Sequence, residues 1–410
     1  MKNLRIDSDR LWASLMDMAQ IGATPKGGVC RLALTDLDRQ GRDLFAAWAK
    51  QLGCTLEIDR MGNMFARRAG KRADLPAVMT GSHLDTQPTG GRFDGVYGVL
   101  AGLEVLRTLA DANIETDRAI EVAVWTNEEG SRYSPAMMGS GVYAGVFAPD
   151  DIDAKTDQDG ISFKDALEKI GYRGAAPAGG RATAAYFEAH IEQGPILEAE
   201  QKTIGIVTGA QGQRWYEVTV VGQEAHAGPT PMARRKDALV GAARMVDAVN
   251  RIGHEFQPYA CATVGFIQSM PNSRNTIPGR VFFTIDFRHP DDFRLSAMDA
   301  AMKERCQAIA AEIGLELEIK DFWYFPPTPF DPRLVEGVRA GAAMFGYPAM
   351  EIVSGAGHDA VYMARVAPTA MIFVPCLDGI SHNEIEDAKP ADLAAGCNVL
   401  LHAILDAAKA

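Results

Sequence analysis

The sequence is short of several features that mark common classes of protein. Its six cysteines (Cys30, Cys54, Cys261, Cys306, Cys376, Cys397) are dispersed, with no CxxC pair. That suits a reducing, cytoplasmic compartment better than a disulfide scaffold. No apolar stretch approaches the length needed to cross a bilayer, so no membrane segment is expected. The opening MKNLRIDSDRLWASLMDMAQ scatters charges where a signal peptide has a continuous apolar region, so none is predicted. Positive charge is in deficit: the net charge of −12 argues against nucleic acid and anionic membranes as partners. A small anionic substrate would then need a local positive site. There is no internal repeat and no low-complexity segment.

What is present is a chain of 410 residues, a length that suggests two or three domains. At 47% hydrophobic and 23% charged it is an ordinary soluble globular composition. Two helices are readable near the N-terminus. One covers roughly Asp9 to Ile21; the other opens at Thr35, with Asp38 three positions on in a capping-box-like start, and stops at Gly53. Strands and helices then alternate. CTLEIDRMGNMFARRA reads as two short strands, PAVMTGSH as a buried strand, and VLAGLEVLRTLADA as a helix. AIEVAVWTNEEG and TAAYFEAHIEQGP are buried strands with polar ends. This alternation predicts an α/β fold with helices on the faces of a sheet.

The pattern changes near Gln211. RWYEVTVVGQ alternates as a half-buried strand, DALVGAARMVDAVNRI is a helix, and ATVGFIQSM and GRVFFTIDFRH are strands about the turn PNSRNTIPG. A long helix and the strand LELEIKDFWYF follow. The order β-α-β-β-α-β predicts an inserted, four-stranded ferredoxin-like domain over 211–326. The proline-rich FPPTPFDP marks the return to a discontinuous larger domain, 1–210 with 327–410. That domain closes with a helix, SGAGHDA, the strand TAMIFVPC, the loop LDGISHNEIED and a last helix. The aromatics Trp215, Tyr216 and the run FWYF are expected to pack the inserted domain or a dimer contact.

In α/β sheets, ligands collect outside the carboxyl ends of the strands. Four apolar runs here end in polar clusters: MTGSHLDT, VWTNEEG, FEAHIEQG and, after FVPC, GISHNE. They supply His83, Asp85, Glu128, Glu129, His190, Glu192 and His382, with Asp94 in the glycine-rich loop between. A lone strand-end histidine is more often structural than a ligand. So many ionisable groups buried together would be costly without a cation. Imidazoles and carboxylates without thiolates suit zinc, manganese, cobalt or nickel. One metal with three ligands and a water is possible, and so are two metals sharing a carboxylate. Glu128 and Glu129 are adjacent and would point to opposite sides of an extended strand, so one can bind metal while the other serves as general base.

The motifs GSHLDTQPTGGRFDG, NEEGSRY, HIEQGP, AHAG, PNSRN, SGAGHDA and SHNE, in this order and spanning nearly the whole chain, resemble the hydantoinase/carbamoylase group of the M20 metallohydrolases. The resemblance implies a mixed-sheet α/β metallohydrolase domain with an inserted lid and dimerisation domain. It implies two divalent ions per subunit. His83, Asp94 and His190 would hold one, and Asp94, Glu129 and His382 the other. It makes Glu128 the general base and Asp85 the carboxylate that orients an imidazole. Gly90, Gly91 and Gly95 are then backbone positions that side chains would obstruct. HIEQGP points away from the peptidase-like branches, which usually place an acidic ligand where His190 stands. With the ligand set complete, His358 and Asp359 take supporting roles.

On their own, His226 reads as a loop histidine, Asn275 as a turn residue and Arg288 as part of a surface ion pair. The resemblance implies that His226 stabilises an oxyanion, typically across a homodimer. It also implies that Gln193, His226, Asn275, Arg288 and Gly357 contact substrate, with Arg288 gripping a carboxylate. His254, His289 and His402 carry no signal. The implied activity is metal-dependent hydrolysis of an N-carbamoyl-L-amino acid to the amino acid, carbon dioxide and ammonia. N-carbamoyl-β-alanine and allantoate are neighbouring alternatives, and an aminoacylase or dipeptidase a more distant one. A binding protein that has kept the fold is the alternative from another class, and the intact ligand set with Glu128 speaks against it.

Overall fold

The computed structural model describes residues 4–410. The chain divides into two compact units, one made of the segments up to Thr208 and from Phe330 onward, the other of Gly209–Pro329. The inserted segment read from the sequence, 211–326, lies inside the second unit.

The strands in chain order are β1 Thr55–Ile58, β2 Met64–Arg68, β3 Ala77–His83, β4 Ile120–Trp125, β5 Thr183–Ile191, β6 Ile204–Ala210, β7 Gly212–Val221, β8 Ala225–His226, β9 Cys261–Met270, β10 Thr276–Ile277, β11 Arg280–His289, β12 Glu316–Phe325, β13 Thr328–Pro329, β14 Ala349–Ser354 and β15 Thr369–Val374. The large sheet runs β1-β2-β4-β3-β5-β15-β6, with β14 also beside β6. Its centre is parallel: β3 pairs β4 and β5, and β5 pairs β15. The flanks are antiparallel, β1 with β2, β2 with β4, and β6 with β15. Every residue of β3, β4 and β15 is buried, as expected of parallel strands covered on both faces, which is why they read as unbroken apolar runs.

The helix Val96–Asp111, buried nearly all round, packs on β3. At Asp36–Gln51 the Thr35 hydroxyl accepts the Asp38 amide at 3.3 Å and the Asp38 carboxylate accepts the Leu34 amide at 2.8 Å. The first helix is Ser8–Ala19, capped by Asp7, so it begins and ends earlier than the apolar spacing suggested. β6 and β14 were not legible at all. β6 (IGIVTGA) is broken by two glycines and its partner β15 is far away in sequence.

The second unit carries an antiparallel sheet in the order β12-β7-β11-β9, with helices Ala238–Glu255 and Asp292–Ile313. Alternate residues of β11 (Val281, Phe283, Ile285, Phe287) and β7 (Tyr216, Val218, Val220) form a core with Met245, Val249, Leu295, Met298 and Met302 from the helices. The element order is β-α-β-β-α-β, with the small ribbon β8–β10 added. Of the aromatics singled out above, Tyr216 is buried in this core, whereas Trp215, Phe322, Trp323 and Tyr324 are exposed. Among the described residues, no helix is long and apolar enough to cross a membrane.

Candidate metal centre

The parallel strands β4, β3, β5 and β15 are neighbours, so their carboxyl ends open on one edge of the sheet. His83 is the last residue of β3, and His190 stands near the end of β5. Glu128 and Glu129 follow β4, and His382 lies in the loop after β15. The loop after β3 turns back at Gly95 (φ +66), where a Cβ would overlap the His83 ring, and at Gly91, where it would overlap the Glu386 carboxylate. That return brings Asp94 to the centre of the group.

Asp94 Oδ1 is 3.3 Å from His190 Nε2 and 3.6 Å from His83 Nε2. Its Oδ2 is 3.2 Å from His382 Nε2, which is 3.4 Å from Glu129 Oε2. Two trios therefore share Asp94: His83–Asp94–His190, and Asp94–Glu129–His382. Glu128 belongs to neither, although its Oε2 lies 3.5 Å from His83 Nε2. After β4 the chain bends at Asn127, in the left-handed region (φ +56). The adjacent glutamates then reach different histidines.

The ring tautomers suit a cation. His83 Nδ1 is 2.8 Å from the Asp85 carbonyl and His190 Nδ1 is 2.9 Å from the Ile191 carbonyl. A carbonyl only accepts, so Nδ1 carries a proton in each ring and Nε2 is the nitrogen left facing Asp94, the one that could bind a cation. His190 Nε2 also accepts the Gly95 amide at 3.2 Å, in keeping with that tautomer. The charges point the same way. Burial opposes charge on the His83 ring, but Glu128, Asp94, Asp85 and Glu129 outweigh it and hold its pKa well above the ordinary imidazole value. Burial likewise raises Asp94, yet the surrounding histidines hold it well below the usual carboxylate range. Burial pushes Glu129 up to about 7, with Asp94 adding to it, and pushes Glu128 well up against the opposing pull of His83. The cluster demands positive charge at its centre, and a nitrogen and oxygen donor set without sulfur fits a divalent metal of the zinc or manganese kind.

Asp85 departs from the arrangement expected of it. Its carboxylate is 3.9 Å from His83 Nδ1, and the ring is held by its backbone carbonyl instead. The carboxylate accepts the amides of Glu128 (3.3 Å) and Glu129 (3.2 Å). Gln193 donates to Asp94 Oδ2 at 2.9 Å. Gly357 faces Met137, whose amide donates to the Glu128 carbonyl at 2.7 Å. His358 is buried, with Nε2 3.0 Å from Ser354 Oγ and its ring 4.5 Å from that of His190; burial, with His190 beside it, holds its pKa well down. Asp359 is buried on the Ser140 hydroxyl. Glu192 accepts the Ile196 and Leu197 amides and caps that turn rather than joining the cluster.

The remaining three expected residues lie in the second unit. His226 on β8 pairs with Thr276 on β10, and the Asn275 carbonyl accepts the Ala227 amide at 2.8 Å, so His226 and Asn275 are neighbours on one exposed ribbon. Arg288, half-buried on β11, donates to Asp286 at 2.9 Å.

Sequence reasoning overlooked Gln87, Glu188 and Glu386. Gln87 holds both oxygens of Glu129, through its amide (3.1 Å) and its side chain (2.7 Å). Glu188, buried, takes the Ser82 hydroxyl and the Ala360 amide. Glu386 accepts the Phe93 and Asp94 amides. All three lie in or beside the quoted motifs, Gln87 in GSHLDTQPTGG, Glu188 in FEAHIEQG and Glu386 four residues beyond His382, but nothing in the spacing shows which groups they hold.

The model of Peptidase family M20/M25/M40 matches residues 79–406. An N-carbamoyl-L-amino-acid amidohydrolase of Rhizobium meliloti is 50% identical over 408 residues, covering 100% of this chain and 98% of that protein. An allantoate amidohydrolase of Bacillus subtilis is 35% identical over 93% of each. The crystal structure of an amidase of the hydantoinase/carbamoylase family from Burkholderia multivorans superposes with a TM-score of 0.96 at 64% identity, covering 99% of this chain and 98% of that one.

Proposed function

Because the chain belongs to Peptidase family M20/M25/M40, among its hydantoinase/carbamoylase amidases, we propose that it hydrolyses N-carbamoyl-L-amino acids to the L-amino acid, carbon dioxide and ammonia. The observation that carries the chemistry is a carboxylate, Glu128, standing beside two donor trios and belonging to neither. Full-length similarity to N-carbamoyl-L-amino-acid amidohydrolases supports the substrate.

In this reading His83, Asp94 and His190 would hold one divalent ion and Asp94, Glu129 and His382 a second, of zinc, manganese, cobalt or nickel. Such ions supply Lewis acidity, which acidifies water and polarises a carbonyl. Glu128 takes the proton of the attacking water and returns it to the nitrogen that leaves the ureido carbon. Asp85 sets the backbone of both glutamates. Gln193 orients Asp94, and Gly357 leaves room for substrate.

His226 stabilises the developing oxyanion, and Asn275 and Arg288 hold the α-carboxylate. Arg288 would have to share its fork between Asp286 and that carboxylate. The second unit serves as lid and as the contact of a homodimer, and the six unpaired cysteines accord with a cytoplasmic enzyme.

The similarity to an allantoate amidohydrolase favours a second reading with the same machinery, in which the carbamoyl group sits on a different skeleton. The deciding experiment is ammonia release by chelator-stripped protein with each metal restored. N-carbamoyl-L-methionine, its D enantiomer, N-carbamoyl-β-alanine and allantoate are the substrates. Metal-dependent turnover of the L compound alone is expected; preference for allantoate or the β-alanine derivative would replace the substrate and keep the chemistry.

A further inference from the structure

Glu386 lies buried against the metal loop and has no part in the mechanism above. Its Oε1 accepts the amides of Phe93 (3.0 Å) and Asp94 (3.1 Å), and its Oε2 accepts the Ser381 hydroxyl at 2.8 Å. The same hydroxyl is 3.2 Å from Asp94 Oδ2. Ser381 precedes His382, so one carboxylate ties the loop that carries Asp94 to the loop that carries His382.

A serine hydroxyl has one proton to donate. Glu386 and Asp94 compete for it, and the shorter separation is to Glu386. The difference matters because Asp94 Oδ2 already accepts Gln193 at 2.9 Å and is the oxygen that faces His382. A second donor from Ser381 would occupy its other lone pair and leave nothing for a cation.

We propose that Glu386 is a positioning residue that draws the Ser381 proton away from Asp94 Oδ2 and so keeps that oxygen open to the ion of the Asp94–Glu129–His382 trio. The proposal rests on the reading in which Asp94 is shared between two ions. It specifies a variant that breaks the arrangement while keeping the loop. In Glu386→Gln the carboxamide oxygen still accepts the two backbone amides. The NH2 group now donates to Ser381, and the hydroxyl proton turns to Asp94.

The test is stepwise zinc binding by chelator-stripped full-length protein, followed by competition with a chromophoric chelator, with thermal melting of the metal-free chains as the control for folding. Wild type is expected to take two zinc ions. Glu386→Gln is expected to hold the first as wild type does and the second about 10- to 100-fold more weakly. Ser381→Ala, which removes the disputed proton, is expected to keep the second ion at wild-type affinity or tighter, and adding Glu386→Gln to it should cost nothing further.

Wild-type affinity for both ions in Glu386→Gln overturns the proposal. So does an undiminished loss in the Ser381→Ala background, which would make Glu386 a loop anchor only. If Glu386→Gln does not fold, Ser381→Ala decides: weakened second-ion binding there overturns the proposal. A single zinc in wild type overturns the shared-Asp94 reading itself, and it is seen before any variant is compared.

Discussion

The carboxylate of Asp85 accepts the backbone amide of Glu128 at 3.3 Å, although Asp85 stands two residues from His83 and was expected to hold its ring. The imidazole has the Asp85 carbonyl instead, and the second carboxylate oxygen takes the Glu129 amide. One side chain thus sets the backbone of the proposed base and of a proposed ligand together. Asp85→Asn leaves one acceptor oxygen for two amides and turns an NH2 donor toward the other. Turnover should fall about 10- to 100-fold. The ion of the His83–Asp94–His190 trio should be nearly unchanged, since the carbonyl still fixes His83. Metal analysis beside kcat checks this; lost metal with full turnover per remaining ion would return the carboxylate to the imidazole.

Glu128→Gln removes the base while keeping its shape. Because Glu128 lies outside both donor trios, metal content should stay at the wild-type value while kcat falls about 10²- to 10⁴-fold. A variant that turns over at the wild-type rate would show that another group takes the proton.

Much of this site was legible because of where its residues sit. His83, His190 and the glutamates end strands buried on both faces, which read as apolar runs and are neighbours in the sheet. Parallel neighbours present their carboxyl ends together, so a histidine at each end becomes a cluster. Glu386 was not legible. It belongs to the same SHNEIED run as His382, but its partners Phe93 and Asp94 are 293 and 292 residues away. For Asp85, spacing says that the side chain is near the His83 ring and not whether the ring meets its carboxylate or its carbonyl. β6 escaped because its pairing is supplied by β15, far along the chain, and its own glycines dilute the strand pattern.

Removing bound metal should loosen the first unit. With the cation gone, the buried carboxylates of Asp94, Glu128 and Glu129 are left together, relieved by protons on the histidines and on the two glutamates, whose pKa values burial raises. At free metal about 100 times Kd, binding stabilises the folded chain by about 2.7 kcal/mol. Melting curves with and without chelator should differ by several degrees and converge again when metal is restored. Identical curves would mean that no ion binds the folded chain at this cluster.

Gly95→Ala tests the turn that brings Asp94 back to His83. Gly95 has φ +66, a region that costs an L side chain about 1–3 kcal/mol when the surroundings enforce it. The added methyl would also overlap the His83 ring, which is buried and pinned at Nδ1, so the ring has no free direction in which to yield. His83 must turn away from Asp94 or the loop must open, and either change separates donors of the first trio. Gly90→Ala is the comparison: there φ is not positive and a Cβ meets its neighbours at 3.0–3.2 Å, which small shifts can relieve. Metal affinity should therefore fall at least about tenfold in Gly95→Ala and much less in Gly90→Ala, with the melting temperatures ordered the same way. Equal metal binding in both would mean that the glycines serve chain flexibility rather than the close approach of the loop to His83.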